Sequence, residues 1–285
     1  MKRSDSVAAS VYHDRCAQSA EVEIGATLAQ LVADGAGTLD IHEPGVSTPY
    51  TKSIRPSHRY VERELARVAL HRGSLVPLLL DTVGRAERVL DVGCSTGGST
   101  VALALSHELG ASEIVGVDPN RRSLAAAAVR AREHDVDDTR CRFVHVGARD
   151  PLPFATESFD LTVCVSVLEY IQSVGQRRRL CREMQRVTRP GGHVLLVTPS
   201  PFRLRDYHTR RWFGDWRRQP GYPWASPPWQ LETMLDECDW RWLGSQQLRI
   251  ALSRWRIPDA LVPPAFDSLS PLLPWQKILG RKRSA

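Results

Sequence analysis

Between residues 88 and 198, five short apolar runs alternate with stretches of helical periodicity, and this rhythm constrains the fold of the 285-residue chain more than any other feature. The apolar runs lie at 88–92, 113–117, 141–146, 160–165 and 193–198, with helical stretches at 97–109, 121–134 and 175–188. A parallel strand pair needs a long crossover, and a helix is the usual one, so this alternation predicts βαβ units. The expected fold class is α/β: a doubly wound, mostly parallel sheet that binds ligands beyond the carboxyl ends of its strands.

The first of these strands runs into Asp91-Val92-Gly93-Cys94-Ser95-Thr96-Gly97-Gly98. Glycines in such a turn let the main chain and the start of the next helix approach a ligand closely. The lysine that a phosphate-binding loop carries is absent, and glycines at 93, 97 and 98 do not fit the dinucleotide fingerprint. An acidic residue ahead of the glycines points instead to a nucleoside that carries a cation.

Composition narrows the function classes. Apolar residues make up 42% and charged residues 25%, as in a globular protein. No apolar run reaches the roughly 18–20 residues of a membrane helix, and Met1-Lys2-Arg3-Ser4 leads into no signal-type apolar stretch. The cysteines at 16, 94, 141, 164, 181 and 238 form no C-x-x-C pair, which predicts reduced thiols in a cytoplasmic protein and no metal site. The net charge of +6 is local: residues 200–220 carry six Arg against two Asp, and residues 277–285 carry two Lys and two Arg with no acid. A basic stripe for nucleic acid would be more widely spread, so an anionic small molecule or a partner surface is favoured.

Four divisions are expected. Residues 1–85 form an N-terminal helical extension, with helices at Glu21–Ala33 and over 57–82, interrupted near Gly73 and Pro77. Residues 86–199 form the ligand-binding core. Residues 200–228, rich in Arg, Pro and aromatics such as Tyr207, Trp212 and Trp216, form a lid over the site. Residues 229–285 complete the sheet, with a helix at Trp229–Glu237, a strand-like 240–248 and a last strand at Trp275–Leu279.

Taken in order, VLDVGCSTGGST (89–100), IVGVDPN (114–120), FVHVGARDPLPFATESFDLTVCVSVLEYI (143–171) and MQRVTRPGGHVLLVTP (184–199) resemble class I S-adenosylmethionine-dependent methyltransferases of the small-molecule type. The resemblance implies a Rossmann-like methyltransferase fold with seven strands, and S-adenosyl-L-methionine as cofactor with S-adenosyl-L-homocysteine as product. It implies that Asp91 and the turn through Gly93, Ser95 and Gly97 hold the methionine end, Ser95 standing where the family has glycine. Asp118 would accept the ribose hydroxyls, Pro119 would pack on adenine, and Val165 would border the methyl donor. The family's acidic adenine partner is replaced by Ala148, so the backbone of Ala148 and Arg149, or the side chain of Asp150, would read the adenine edge. Structural readings stand beside these: Asp91 as a helix cap, and Asp118-Pro119 as a turn.

A hydroxyl acceptor calls for a general base. The histidine that often follows Leu-Glu in related enzymes is Tyr170 here, which leaves Tyr170, Tyr207 and His208 as candidate catalytic residues, with His58 and Tyr60 behind them. The expected activity is methyl transfer to O, N or C of a small metabolite with an anionic or aromatic group, as in natural-product biosynthesis. Nucleic acid and membrane are not expected partners, and a homo-oligomer is left open. The basic lid and tail keep a nucleic-acid methyltransferase as the rival reading, and the missing histidine keeps a non-catalytic, cofactor-binding partner subunit.

Overall fold

The computed structural model describes Ala26, Glu64, residues 66–204, Trp212, residues 225–253, Pro258 and residues 261–284. The expected Glu21–Ala33 helix, His58, Tyr60, Tyr207, His208 and most of the 200–228 segment lie outside the described residues.

Two short helices lead in. Helix α1 (Arg67–Arg72) stops at Gly73, and α2 (Leu75–Thr82) buries Leu75, Val76, Leu78 and Leu79. Pro77 does not interrupt the helix as expected. It is the third residue of α2, where a backbone N–H has no intrahelical acceptor to lose.

The core then alternates β1 (Arg88–Val92), α3 (Gly98–Ala104), β2 (Glu113–Asp118), α4 (Arg121–Glu133), β3 (Cys141–His145), β4 (Phe159–Val165), α5 (Val174–Val187) and β5 (Thr188–Pro199). Helix α6 (Pro228–Glu232), β6 (Cys238–Trp242), α7 (Gly244–Ser253) and β7 (Trp275–Lys282) follow. The seven strands lie in the order β3-β2-β1-β4-β5-β7-β6, parallel from β3 to β5, with β7 antiparallel to both of its neighbours. Strands buried on both faces need apolar residues at consecutive positions, and β1 shows this. Val89 joins Val163, Leu195 and Leu279 in a layer covered by α2 and α3, while Leu90 and Val92 join Cys164, Leu196 and Ile278 in a layer covered by α5.

The fifth strand, expected over 193–198, begins earlier, at Thr188, because Pro190-Gly191-Gly192 forms a bulge within β5: Phe159 pairs with Thr188 and Leu161 with His193, so the intervening residues swing out, with Gly191 at φ 74. The strand-like run 240–248 ends at Trp242, and Gly244 opens α7 instead. A Cβ on Gly244 would lie 2.1 Å from the Phe266 carbonyl oxygen, so packing against the Pro264–Leu272 segment, not local apolarity, decides this turn. The helix expected at Trp229–Glu237 shortens to α6.

Candidate functional site

β1 and β2 end side by side, because Asp91 pairs with Gly116 and Val92 with Val117. The turn after β1 closes back on β2: the N–H groups of Gly93 and Cys94 both donate to the Val117 carbonyl, at 2.8 and 3.0 Å. The chain manages this in left-handed conformations at Gly93 (φ 76), Ser95 (φ 50) and Gly97 (φ 78). Gly93 is required twice over, since a Cβ there would meet Val167 Cγ2 at 2.3 Å. Ser95 adopts this conformation at the modest cost of one strained non-glycine residue.

Asp91 is buried, and its Oδ2 accepts from Ser99 Oγ at 2.6 Å and Thr100 Oγ1 at 2.7 Å. These donors are side chains of α3, so Asp91 is not a backbone cap. Burial raises its pKa, and the two hydroxyls pull it back. Asp118 ends β2 with one main-chain donor on each oxygen: Asn120 N–H to Oδ1 at 2.8 Å and Ser95 N–H to Oδ2 at 2.9 Å. Each carboxylate oxygen keeps capacity for a further donor. Burial lifts its pKa to about 6 against the pull of those backbone donors, Asp91 lifts it further, and His145 lowers it. The turn reading of Asp118-Pro119 is therefore correct as local geometry, and it leaves the carboxylate available.

The Pro119 carbonyl accepts from His145 Nε2 at 3.0 Å. Ala148 and Arg149 are exposed in the turn after β3, where Asp150 N–H donates to the Gly147 carbonyl at 3.0 Å. The Asp150 carboxylate lies against Gly147, where a Cβ would come within 2.5 Å of Oδ2. Val165 ends β4, half-buried, and Ser166 (φ 58) donates its N–H to the Val197 carbonyl at 2.8 Å. Tyr170 is half-buried in the single turn Leu168–Tyr170 beyond β4, beside the fully buried Glu169, whose Oε2 accepts from Thr198 Oγ1 at 3.3 Å. Asp91, Gly93, Ser95, Gly97, Asp118, Pro119, Val165 and Tyr170 thus come together at the carboxyl edge of the sheet. Ala148 and Arg149 follow β3 at the same edge.

Sequence reasoning missed the support under this turn. Arg130 of α4 is fully buried; its Nη1 donates to the Thr96 carbonyl at 2.9 Å and to Thr96 Oγ1 at 3.1 Å, and its Nη2 to the Glu64 carbonyl at 2.7 Å. Thr96 Oγ1 also donates to Glu64 Oε2 at 2.8 Å, and Glu64 Oε1 pairs with Arg67 at 2.8 Å. A signal existed, because Arg130 follows the buried Ala126 and Ala127 at helical spacing on the inward face of α4.

Residues 89–192 match the family model described as a methyltransferase domain. Over 119 residues the chain is 32% identical to 27-O-demethylrifamycin SV methyltransferase of Amycolatopsis mediterranei, covering 40% of this chain and 41% of that protein. It is 29% identical over 147 residues to the ubiquinone biosynthesis O-methyltransferase of Pseudomonas syringae pv. tomato, covering 50% and 58%. The chain spans about half the length of these curated relatives. In fold it resembles the solved complex of the Haloferax volcanii Trm112 methyltransferase activator with a putative methyltransferase. That match has a TM-score of 0.52 at 16% identity and covers 78% of this chain and 95% of that one.

Proposed function

We propose, from the match of residues 89–192 to a methyltransferase domain, that the chain is a class I, S-adenosylmethionine-dependent methyltransferase that transfers a methyl group to O, N or C of a small metabolite with an anionic or aromatic group. The observation that carries this reading is the pair of buried carboxylates, Asp91 and Asp118, at the ends of adjacent parallel strands, with the strained turn fastened between them by the Ser95–Asp118 hydrogen bond.

Those residues suit the proposed cofactor. Asp91, held on one oxygen by two hydroxyls, would face the amino group, and main-chain N–H groups of the turn would face the carboxylate. Asp118 would accept the ribose hydroxyls, Pro119 would border adenine, and the backbone of Ala148 and Arg149 would meet its edge. When bound, S-adenosylmethionine supplies a sulfonium-activated methyl group, which needs little further activation. The chain's contribution is then alignment of acceptor and donor at about 3 Å, with Val165 beside the reacting end and Tyr170, Tyr207 or His208 as the base for a hydroxyl acceptor. Residues 200–228 are assigned to the acceptor side from their aromatic and arginine content and their place directly after β5.

Calorimetry with S-adenosylhomocysteine tests the reading: micromolar binding that Asp118→Ala abolishes is expected, and unaltered binding in the variant would overturn the site. Transfer of isotope-labelled methyl groups into a fractionated metabolite extract tests the activity. A labelled RNA fraction in its place would give the nucleic-acid reading.

A further inference from the structure

We propose that Lys277 is a specificity-determining residue whose ammonium receives an anionic group, a carboxylate or its chemical equivalent, of the methyl acceptor. The inference rests on the methyltransferase reading above.

Strand register places Lys277 at the site. Val92 pairs with Val117 and with Cys164, so the next residues, Gly93, Asp118 and Val165, share one level across three strands. Val165 pairs with Val197, and Val197 with Lys277, which extends that level through β5 to β7. Lys277 therefore stands level with the turn that follows β1, two strands and about 10 Å from Val165 in the main chain. It also points to the cofactor side of the sheet. Paired residues share a face, and Val197, Leu279 and Trp275 all pack in the layer on the Asp91 side.

Its surroundings among the described residues supply no counterion. Among the described residues the Lys277 ammonium has no ion pair, and half-burial lowers its pKa to about 8 with no carboxylate acting against it. His71 of α1, on the same side, is held down to about 4 by burial first and then by Arg67, Arg130 and Lys277. Of these cations, Arg67 and Arg130 are bonded to Glu64 or Thr96. Lys277 alone among the three brings a partly desolvated charge to the site without a fixed partner in the described structure. A buried charge is costly until it is paired, and an arriving anion on the acceptor would pair it. Lysine suits this role as a compact point charge with three donors.

The experiment compares benzoate with benzyl alcohol, one ring with and without charge, as probes of the S-adenosylhomocysteine-loaded full chain by ligand-observed NMR. Benzoate is expected to bind at millimolar concentration, about tenfold or more weakly in Lys277→Met, and within a few-fold of wild type in Lys277→Arg. Benzyl alcohol is expected to respond to neither variant, and S-adenosylhomocysteine affinity to stay unchanged in both. Equal benzoate binding in wild type and Lys277→Met, or none in wild type, overturns the proposal. So does loss of S-adenosylhomocysteine binding in Lys277→Met, which would move the lysine to the cofactor. Should a hydroxyl acceptor be identified, a fall in kcat with unchanged KM in both variants would make Lys277 a general base and overturn the anion role. Failure of the wild-type chain to bind S-adenosylhomocysteine at all would instead overturn the methyltransferase reading beneath it.

Discussion

The Ser95 N–H donates to Asp118 Oδ2 at 2.9 Å, so the turn that ends β1 is fastened to the carboxylate that ends β2. Asp118→Asn keeps the shape but turns one oxygen into an NH2 group that faces either Ser95 N–H or Asn120 N–H. A donor set against a donor loses one bond and repels the other group. S-adenosylhomocysteine affinity is expected to fall about tenfold or more, and Ser95→Gly, which relieves the left-handed strain at φ 50, is expected to leave it within a few-fold while raising Tm slightly.

Asp118 also sets a pH dependence. Its folded pKa of about 6 lies above the ordinary aspartate value of 3.8, so the folded state holds this proton more tightly than the unfolded one. The stability of wild type relative to Asp118→Asn should therefore fall as pH rises from 4 through 6, by about 3 kcal/mol in all. Urea melts of both proteins across that range test this. A difference that stays flat, or that rises with pH, would contradict the burial of the carboxylate.

At Gly93 two costs are separable. Gly93→Ala places a methyl 2.3 Å from Val167 Cγ2 and forces alanine to φ 76, which together should cost about 2–4 kcal/mol. In a Val167→Ala background the clash is relieved and only the backbone penalty of about 1–2 kcal/mol should persist. Double-mutant melts that show no coupling between the two sites would refute the contact.

Arg130 is the support whose removal should be felt furthest. Arg130→Met leaves the buried Glu64 carbonyl without its guanidinium donor and takes both such donors from Thr96. The expected loss is about 3 kcal/mol or more from several charge-assisted hydrogen bonds, with weaker S-adenosylhomocysteine binding because Thr96 lies in the turn. Arg130→Lys should not restore stability, because one ammonium cannot span the Thr96 and Glu64 carbonyls as the planar fork does. Thermal melts and calorimetry of both variants check this.

The parallel core was legible because its strands are short, apolar and regularly spaced, and Asp91 and Asp118 fell at strand ends that any doubly wound sheet exposes. What was illegible depended on contacts far apart in sequence. Nothing near Gly244 says that the Phe266 carbonyl excludes a side chain there, so 240–248 read as strand. The Pro190-Gly191-Gly192 bulge is set by the pairing of Phe159 with Thr188, which no local pattern encodes. Lys277 read as part of a basic tail, and only the register through Val197 and Val165 moves it to the site. Tyr207 and His208 lie outside the described residues, so their place among the catalytic candidates rests on the sequence.

β7 is the last strand along the chain, yet it lies between β5 and β6. Until Trp275–Lys282 has left the ribosome, β5 and β6 are both open edges, each able to recruit a stranger's strand. The nascent protein therefore carries this aggregation hazard until β7 is made. The segment that ends the hazard also carries Lys277, so a chain cut short before β7 would leave two strand edges open and lack that lysine in one event.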